Sequence, residues 1–147
     1  MTDGDHIRNL LGRYCDLVDA GDWPGVGALF ARGRLVTDDG TELAAGAEAV
    51  TAFYTRGTRL HDGSPRTKHL VSNTVLAAPA ADGTVEARSS YLVLQAVDGL
   101  PLQPIITGRY VDRFARDHDS DRGWYFAERA FGVDLVGDLS HHLRFEL

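Results

Sequence analysis

PRTKHLVSNTVL, residues 65–76, is where the chain changes character. Before Pro65 the apolar residues recur at about 3.6 positions, the spacing of a helix. From Thr67 on they recur at about 2, the spacing of a strand. Thr67–Leu76 therefore reads as a first long strand, followed by Thr84–Val97, Ile105–Arg116 and Gly123–Asp134. Asp82-Gly83, Asp98-Gly99 and the polar run Asp117–Arg122 supply turn chemistry between them. Consecutive strands with short links predict antiparallel pairing. Within the first strand His69, Val71 and Asn73 share one face, and Lys68, Leu70, Ser72, Thr74 and Leu76 share the other. Alternation alone leaves open which face is inner.

Upstream, Ile7, Leu10, Leu11, Tyr14, Leu17 and Val18 form one stripe of a helix running to Ala20. Thr2 and Asp5 have the spacing of a capping box, and Gly21 supplies the stop. Asp22 is placed to cap a short second helix, with Pro24 in its first turn and Val26, Leu29 and Phe30 facing inward. Gly33–Thr37 reads as a short strand, Asp38-Asp39-Gly40 as a turn, and Ala47–Arg56 as a third helix that buries Val50, Phe53 and Tyr54. Thr58–Pro65 reads as a polar loop. The residues after Asp138 carry no periodic signal. Helices followed by a run of strands is an α+β pattern, here one domain over residues 1–147.

Composition narrows the function classes. An apolar fraction of 44% with 24% charged residues is that of a globular domain rather than a disordered chain. A net charge of −6 argues against nucleic acid or an anionic membrane as partner, since both need a basic face. The polar N-terminus and the single cysteine, Cys15, fit a reducing, cytoplasmic setting.

Strong catalytic signatures are missing. The sequence has no Gly-rich phosphate loop, no dinucleotide fingerprint, no G-x-S-x-G elbow and no H-E-x-x-H. No cofactor is signalled. Cys15 has no basic neighbour to activate it. His141 and His142 are adjacent, so their side chains diverge and a shared metal is not expected. What remains is a thin set of polar residues in or beside apolar patterns. Tyr14 lies on the core stripe of the first helix, either as a core tyrosine or as a site hydroxyl. Asp19 stands ~100° round the helix from Val18, so it reaches the same space only if the last turn loosens. His69 is the best placed group for proton transfer, because an ordinary imidazole titrates near neutral pH. Arg109, Arg113 and Arg129 lie on strands, where arginines mostly pair with acids at the sheet surface; Asp112 and Glu128 are close in sequence.

Four segments, Tyr14–Trp23, Arg66–Asn73, Gly108–Phe114 and Gly123–Arg129, resemble in order and spacing the SnoaL-like branch of the nuclear-transport-factor-2-like superfamily. Its members include scytalone and bile-acid dehydratases, ketosteroid isomerase, polyketide cyclases and the β subunits of ring-hydroxylating dioxygenases. The resemblance implies a cone-shaped α+β barrel, three N-terminal helices packed in a curved, mostly antiparallel sheet around one apolar pocket. In the dehydratases a helix tyrosine, an aspartate near the end of that helix and a strand histidine remove a proton next to a carbonyl and help a β-hydroxyl leave. Tyr14, Asp19 and His69 occupy those positions. Arg129 is the nearest match to an arginine on the last strand of the bile-acid enzymes. Where those enzymes have a further acid, this chain has Ser89, Ser90 and Tyr91. The resemblance thus implies a cofactor-independent dehydratase, isomerase or cyclase acting on a small apolar polycyclic or polyketide-like substrate. His69, Asp19 and Tyr14 would be its catalytic residues, and Arg129, Asn73, Tyr91, Val18 and Tyr54 would line its substrate site. A homo-oligomer, trimer or dimer, is expected. The alternative is a non-catalytic binding or assembly module of the dioxygenase β-subunit kind. Because the scaffold hosts many chemistries, an open cavity containing His69 and Tyr14 is the feature that separates the two.

Overall fold

The computed structural model describes residues 1–119 and 123–147. Residues 120–122, part of the expected Asp117–Arg122 turn, lie outside the described residues. The elements run α1 (Asp3–Ala20), α2 (Trp23–Leu29), β1 (Arg34–Thr37), β2 (Glu42–Ala45), α3 (Gly46–Gly57), β3 (Thr67–Leu76), β4 (Val85–Val97), β5 (Leu100–Arg116) and β6 (Trp124–Val136). The three helices and the four long strands are those the periodicity predicts.

Local chemistry sets the helix ends. Thr2 accepts the Asp5 N–H while the Asp5 carboxylate accepts the Thr2 N–H, so both halves of the capping box are made. Gly21 ends α1 in the left-handed region (φ +70°), where its N–H reaches the carbonyls of Leu17 and Val18. Asp22 caps α2 through the Gly25 N–H.

The sheet has six strands in the order β2-β1-β6-β5-β4-β3. Every pairing is antiparallel except β1 with β6, which is parallel, so the sheet is mixed. Its end strands β2 and β3 do not pair with each other, and the curved sheet stays open. Most boundaries shift by one or two residues, and two differences from the sequence pattern are larger. β5 starts at Leu100, because the Asp98-Gly99 turn folds it straight back onto β4 with Leu100 opposite Val97. β2 was not anticipated; its Glu-Leu-Ala-Ala sequence is made mostly of residues with low strand preference, whereas β1 carries Leu-Val-Thr.

The helices cover the inner face of the sheet. Ile7, Leu11, Tyr14 and Val18 of α1 and Val26 and Phe30 in and after α2 are buried against Val93, Tyr110, Phe114 and Phe126 of the strands. No helix among the described residues is long and apolar enough to cross a membrane.

Two β-bulges decide what faces inward. In β3 the register with β4 slips between Ser72 and Val75, so Asn73 and Thr74 together oppose Ser89. Asn73 takes a left-handed backbone (φ +54°), and beyond it the inward parity passes to Thr74 and Leu76. In β6 the register with β5 slips between the Phe114–Phe126 and Arg113–Glu128 pairs. Trp124 and Phe126 point inward, and after the extra residue, Ala127, the inward position is Arg129 rather than Glu128.

Candidate active site

α1 lies alongside β3, whose outer edge has no strand partner. An edge strand leaves backbone N–H groups unpaired, and Asp19 takes one of them: its Oδ2 accepts the His69 N–H at 2.9 Å. The same carboxylate accepts the Thr67 hydroxyl at 2.9 Å and faces His69 Nδ1 at 2.6 Å. An ionised carboxylate only accepts, so Nδ1 carries the hydrogen. The helix need not loosen for this contact, as the sequence reading required: α1 is regular through Ala20. Asp19 reaches the histidine because the strand edge, not the pocket wall, is what lies ~100° round from Val18. Burial works to raise the Asp19 carboxyl, but hydrogen bonds from the His69 ring and backbone and from Thr67 outweigh it, and the group sits below the ordinary aspartate value.

His69 is buried and forms part of the wall of a cavity of about 300 Å³. Its Nε2 makes no hydrogen bond among the described residues. The wall is otherwise mostly aromatic and aliphatic, with Tyr14, Val18, Tyr54, Tyr91, Tyr110 and Phe131 prominent. The Tyr14 and Tyr54 hydroxyls are 2.5 Å apart, so one donates to the other and the second keeps a proton to offer elsewhere. Burial raises both phenols, Tyr54 strongly, so they stay neutral and serve as donors rather than bases. Tyr91 donates to the Gly132 carbonyl at 2.9 Å, its ring lying where a Cβ on Gly108 would come within 2.5 Å of its hydroxyl oxygen.

Two expected substrate-site residues lie elsewhere. Asn73, on the β3 bulge, is exposed and outside the cavity wall. Arg129 is wholly buried behind the wall instead of in it. Its guanidinium holds both oxygens of Asp112, Nε to Oδ1 at 2.7 Å and Nη2 to Oδ2 at 2.8 Å, a fork matched to a carboxylate. It also stacks against the Tyr14 ring at 4.1 Å and the Tyr110 ring at 3.7 Å. Burial opposes the Arg129 charge, but Asp112 and the two tyrosines more than offset it, so the arginine stays charged. The expected Arg–Asp pairing is therefore present, but in the interior, and it supports the floor of the cavity from behind.

The sequence reading missed the tail. Residues after Asp138 return to the cavity, where Leu139, His142, Leu143 and Phe145 join the wall. The Arg59 N–H bonds the His142 carbonyl at 2.8 Å, the Arg144 N–H bonds the Gly57 carbonyl at 2.9 Å, and buried Gln95 bonds the His141 carbonyl at 3.0 Å. The first two are backbone–backbone bonds and the third comes from the Gln95 side chain; all three are long-range, and no local pattern announces them. Cys15 is buried with its thiol pushed up to about 11 by desolvation, which makes it inert. No group of three or more His, Cys, Asp or Glu that could hold a metal occurs among the described residues.

Solved structures with this fold include ActVI-ORFA from Streptomyces coelicolor, with TM-score 0.70 and 20% identity over 88% of this chain and 96% of that one. A proposed scytalone dehydratase from Novosphingobium aromaticivorans gives 0.68 and 19%, covering 92% and 87%. The β subunit of a proposed aromatic-ring-hydroxylating dioxygenase from the same organism gives 0.65 and 19%, covering 90% of each chain. At such identities the likeness is one of fold. No curated protein sequence matches the chain. The SnoaL-like domain pattern, however, matches residues 1–130, from the capping box of α1 through Arg129, and the chain belongs to the SnoaL-like domain family.

Proposed function

We propose that the chain is a cofactor-independent cytoplasmic enzyme, a dehydratase, isomerase or cyclase, in which His69 moves a proton on a small, largely apolar polycyclic or polyketide-like molecule. The observation that carries this reading is a histidine in the wall of an open apolar cavity, with one ring nitrogen fixed by Asp19 and the other without a hydrogen-bond partner among the described residues. Asp19 holds the Nδ1–H tautomer, which leaves the Nε2 lone pair free to act as base. In a dehydration Nε2 takes the proton next to a carbonyl, the C–H electron pair becomes the new C=C bond, and the β C–O bond breaks. The imidazolium then returns the proton to the departing hydroxide as water. A hydroxyl of the Tyr14–Tyr54 pair donates to the carbonyl oxygen as charge develops there. A cavity of about 300 Å³ is at the small end of ligand sites, which suits a frame of two or three fused rings.

A β-hydroxytetralone tests this, since its dehydration yields a fluorescent naphthol. Turnover by the parent, reduced about 10²-fold or more in His69→Ala with thermal stability nearly unchanged, is the expected result. Equal turnover by the two proteins would overturn it. The alternative, a non-catalytic binding or assembly module, draws on the fold likeness to the dioxygenase β subunit; absence of turnover across β-hydroxy ketones of this size would favour it.

A further inference from the structure

Most polar groups around the cavity are already engaged. The Tyr14 and Tyr54 hydroxyls bond each other, Tyr91 is bonded to Gly132, and His69 Nδ1 is held by Asp19. A further polar side chain of the wall that the reading above does not use is His142. It is 8% exposed, it belongs to the cavity wall, and its Nδ1 is buried with no hydrogen-bond partner among the described residues. A buried nitrogen without a partner is costly, and persists where something else supplies the bond. Its ring centroid stands 6.3 Å from that of His69, with the planes at 61°. At that distance the two imidazoles do not bond each other; both belong to the wall of the same cavity.

The backbone that carries the ring is also held in place. Arg59 bonds the His142 carbonyl, and the preceding His141 carbonyl takes hydrogen bonds from Gln95 and from His61 Nε2 at 2.8 Å. Desolvation, with the nearby His69 adding to it, pushes the His142 imidazole down to about 4, so at neutral pH it is uncharged and offers one donor and one acceptor.

We propose that His142 is a ligand-binding residue of this cavity, holding a hydroxyl or carbonyl oxygen of an aromatic ligand on the tail side while His69 faces the same ligand from the sheet side. The inference rests on the reading of this cavity as a substrate site, and narrows the ligand class to a small fused-ring molecule with oxygen on the edge that meets the tail. Neutral imidazole is suited to this task because it binds a neutral oxygen without bringing a charge into an apolar site.

The test is binding of β-naphthol and of naphthalene, a pair that differ by one oxygen. Neither has a proton next to a carbonyl, so the result does not depend on the chemistry assigned to His69. The parent is expected to bind β-naphthol about tenfold more tightly than naphthalene, and His142→Phe to bind the two within about twofold with naphthalene affinity unchanged. His142→Gln, which keeps a donor and an acceptor, should restore part of the preference. If His142→Phe does not fold, nitrogen NMR of the parent decides: saturation with β-naphthol must shift the His142 ring resonances. No saturable binding of β-naphthol, an equal preference in parent and His142→Phe, equal weakening of both ligands, or unmoved His142 resonances would each overturn the proposal. Turnover lost in His69→Ala alongside any of these results would leave the proton-transfer reading standing and remove only this one.

Discussion

The Asp19 carboxylate bonds the backbone N–H and the ring Nδ1 of the same residue, His69, at 2.9 and 2.6 Å. One acid thus fixes both the strand edge and the ring that projects from it, so the tautomer of the imidazole depends on a residue 50 positions away in sequence.

Asp19→Asn tests that dependence. The amide can donate to Nδ1, which favours the tautomer with hydrogen on Nε2 and removes the free lone pair. Nitrogen-detected NMR should show His69 shifting from the Nδ1–H to the Nε2–H form, and turnover of a productive substrate should fall about 10²-fold or more. An unchanged tautomer would show that Asp19 does not set it.

Arg129→Met should be among the most damaging single changes in the chain. It leaves the Asp112 carboxylate buried without its partner, and breaking such a pair costs about 3–5 kcal/mol. Urea unfolding should show this, and Arg129→Met with Asp112→Leu should recover much of the loss. If the double variant is as unstable as the single one, packing against Tyr14 and Tyr110, not the charge, is what the arginine provides.

His142 should make the protein acid-sensitive. Its imidazole titrates near 4 in the folded chain against 6.5 when free, so the unfolded chain binds the extra proton first. Stability is then full above about pH 6.5 and is lost as pH falls toward 4, by up to about 3 kcal/mol. The charged and titratable neighbours are His69 on β3, His61 in the loop before it and Asp19 on α1. Asp19, with its lowered value, adds to acid sensitivity only below the ordinary aspartate range. Thermal melting between pH 7 and pH 4 should show a steep fall for the parent and a shallower one for His142→Phe. Equal slopes would count against a buried neutral imidazole.

The far ends of β5 and β6 carry Leu102, Leu135 and Val136, exposed at 70%, 71% and 57%. Exposed apolar side chains on sheet strands are expected to be covered by a second copy, making a dimer or trimer. Light scattering at micromolar concentration should report an oligomer that Leu135→Glu weakens. A monomeric parent would decide against it.

The sequence by itself determined the helices, the long strands, the Asp82-Gly83 and Asp98-Gly99 turns and the family, because periodicity and caps are local: they follow from backbone geometry within one element. It also brought Tyr14, Val18, Asp19, Tyr54, His69 and Tyr91 under suspicion. Tertiary structure decided which of them meet. Single extra residues at the two bulges reverse the parity of everything beyond them, which puts Asn73 outside the cavity and Arg129 in the core, and no alternation pattern counts a bulge before the partner strand is known. The tail is the extreme case. Leu139–Leu147 has no period of its own, and its place across the cavity is set by hydrogen bonds to Gly57, Arg59 and Gln95, residues that only the folded chain brings beside it.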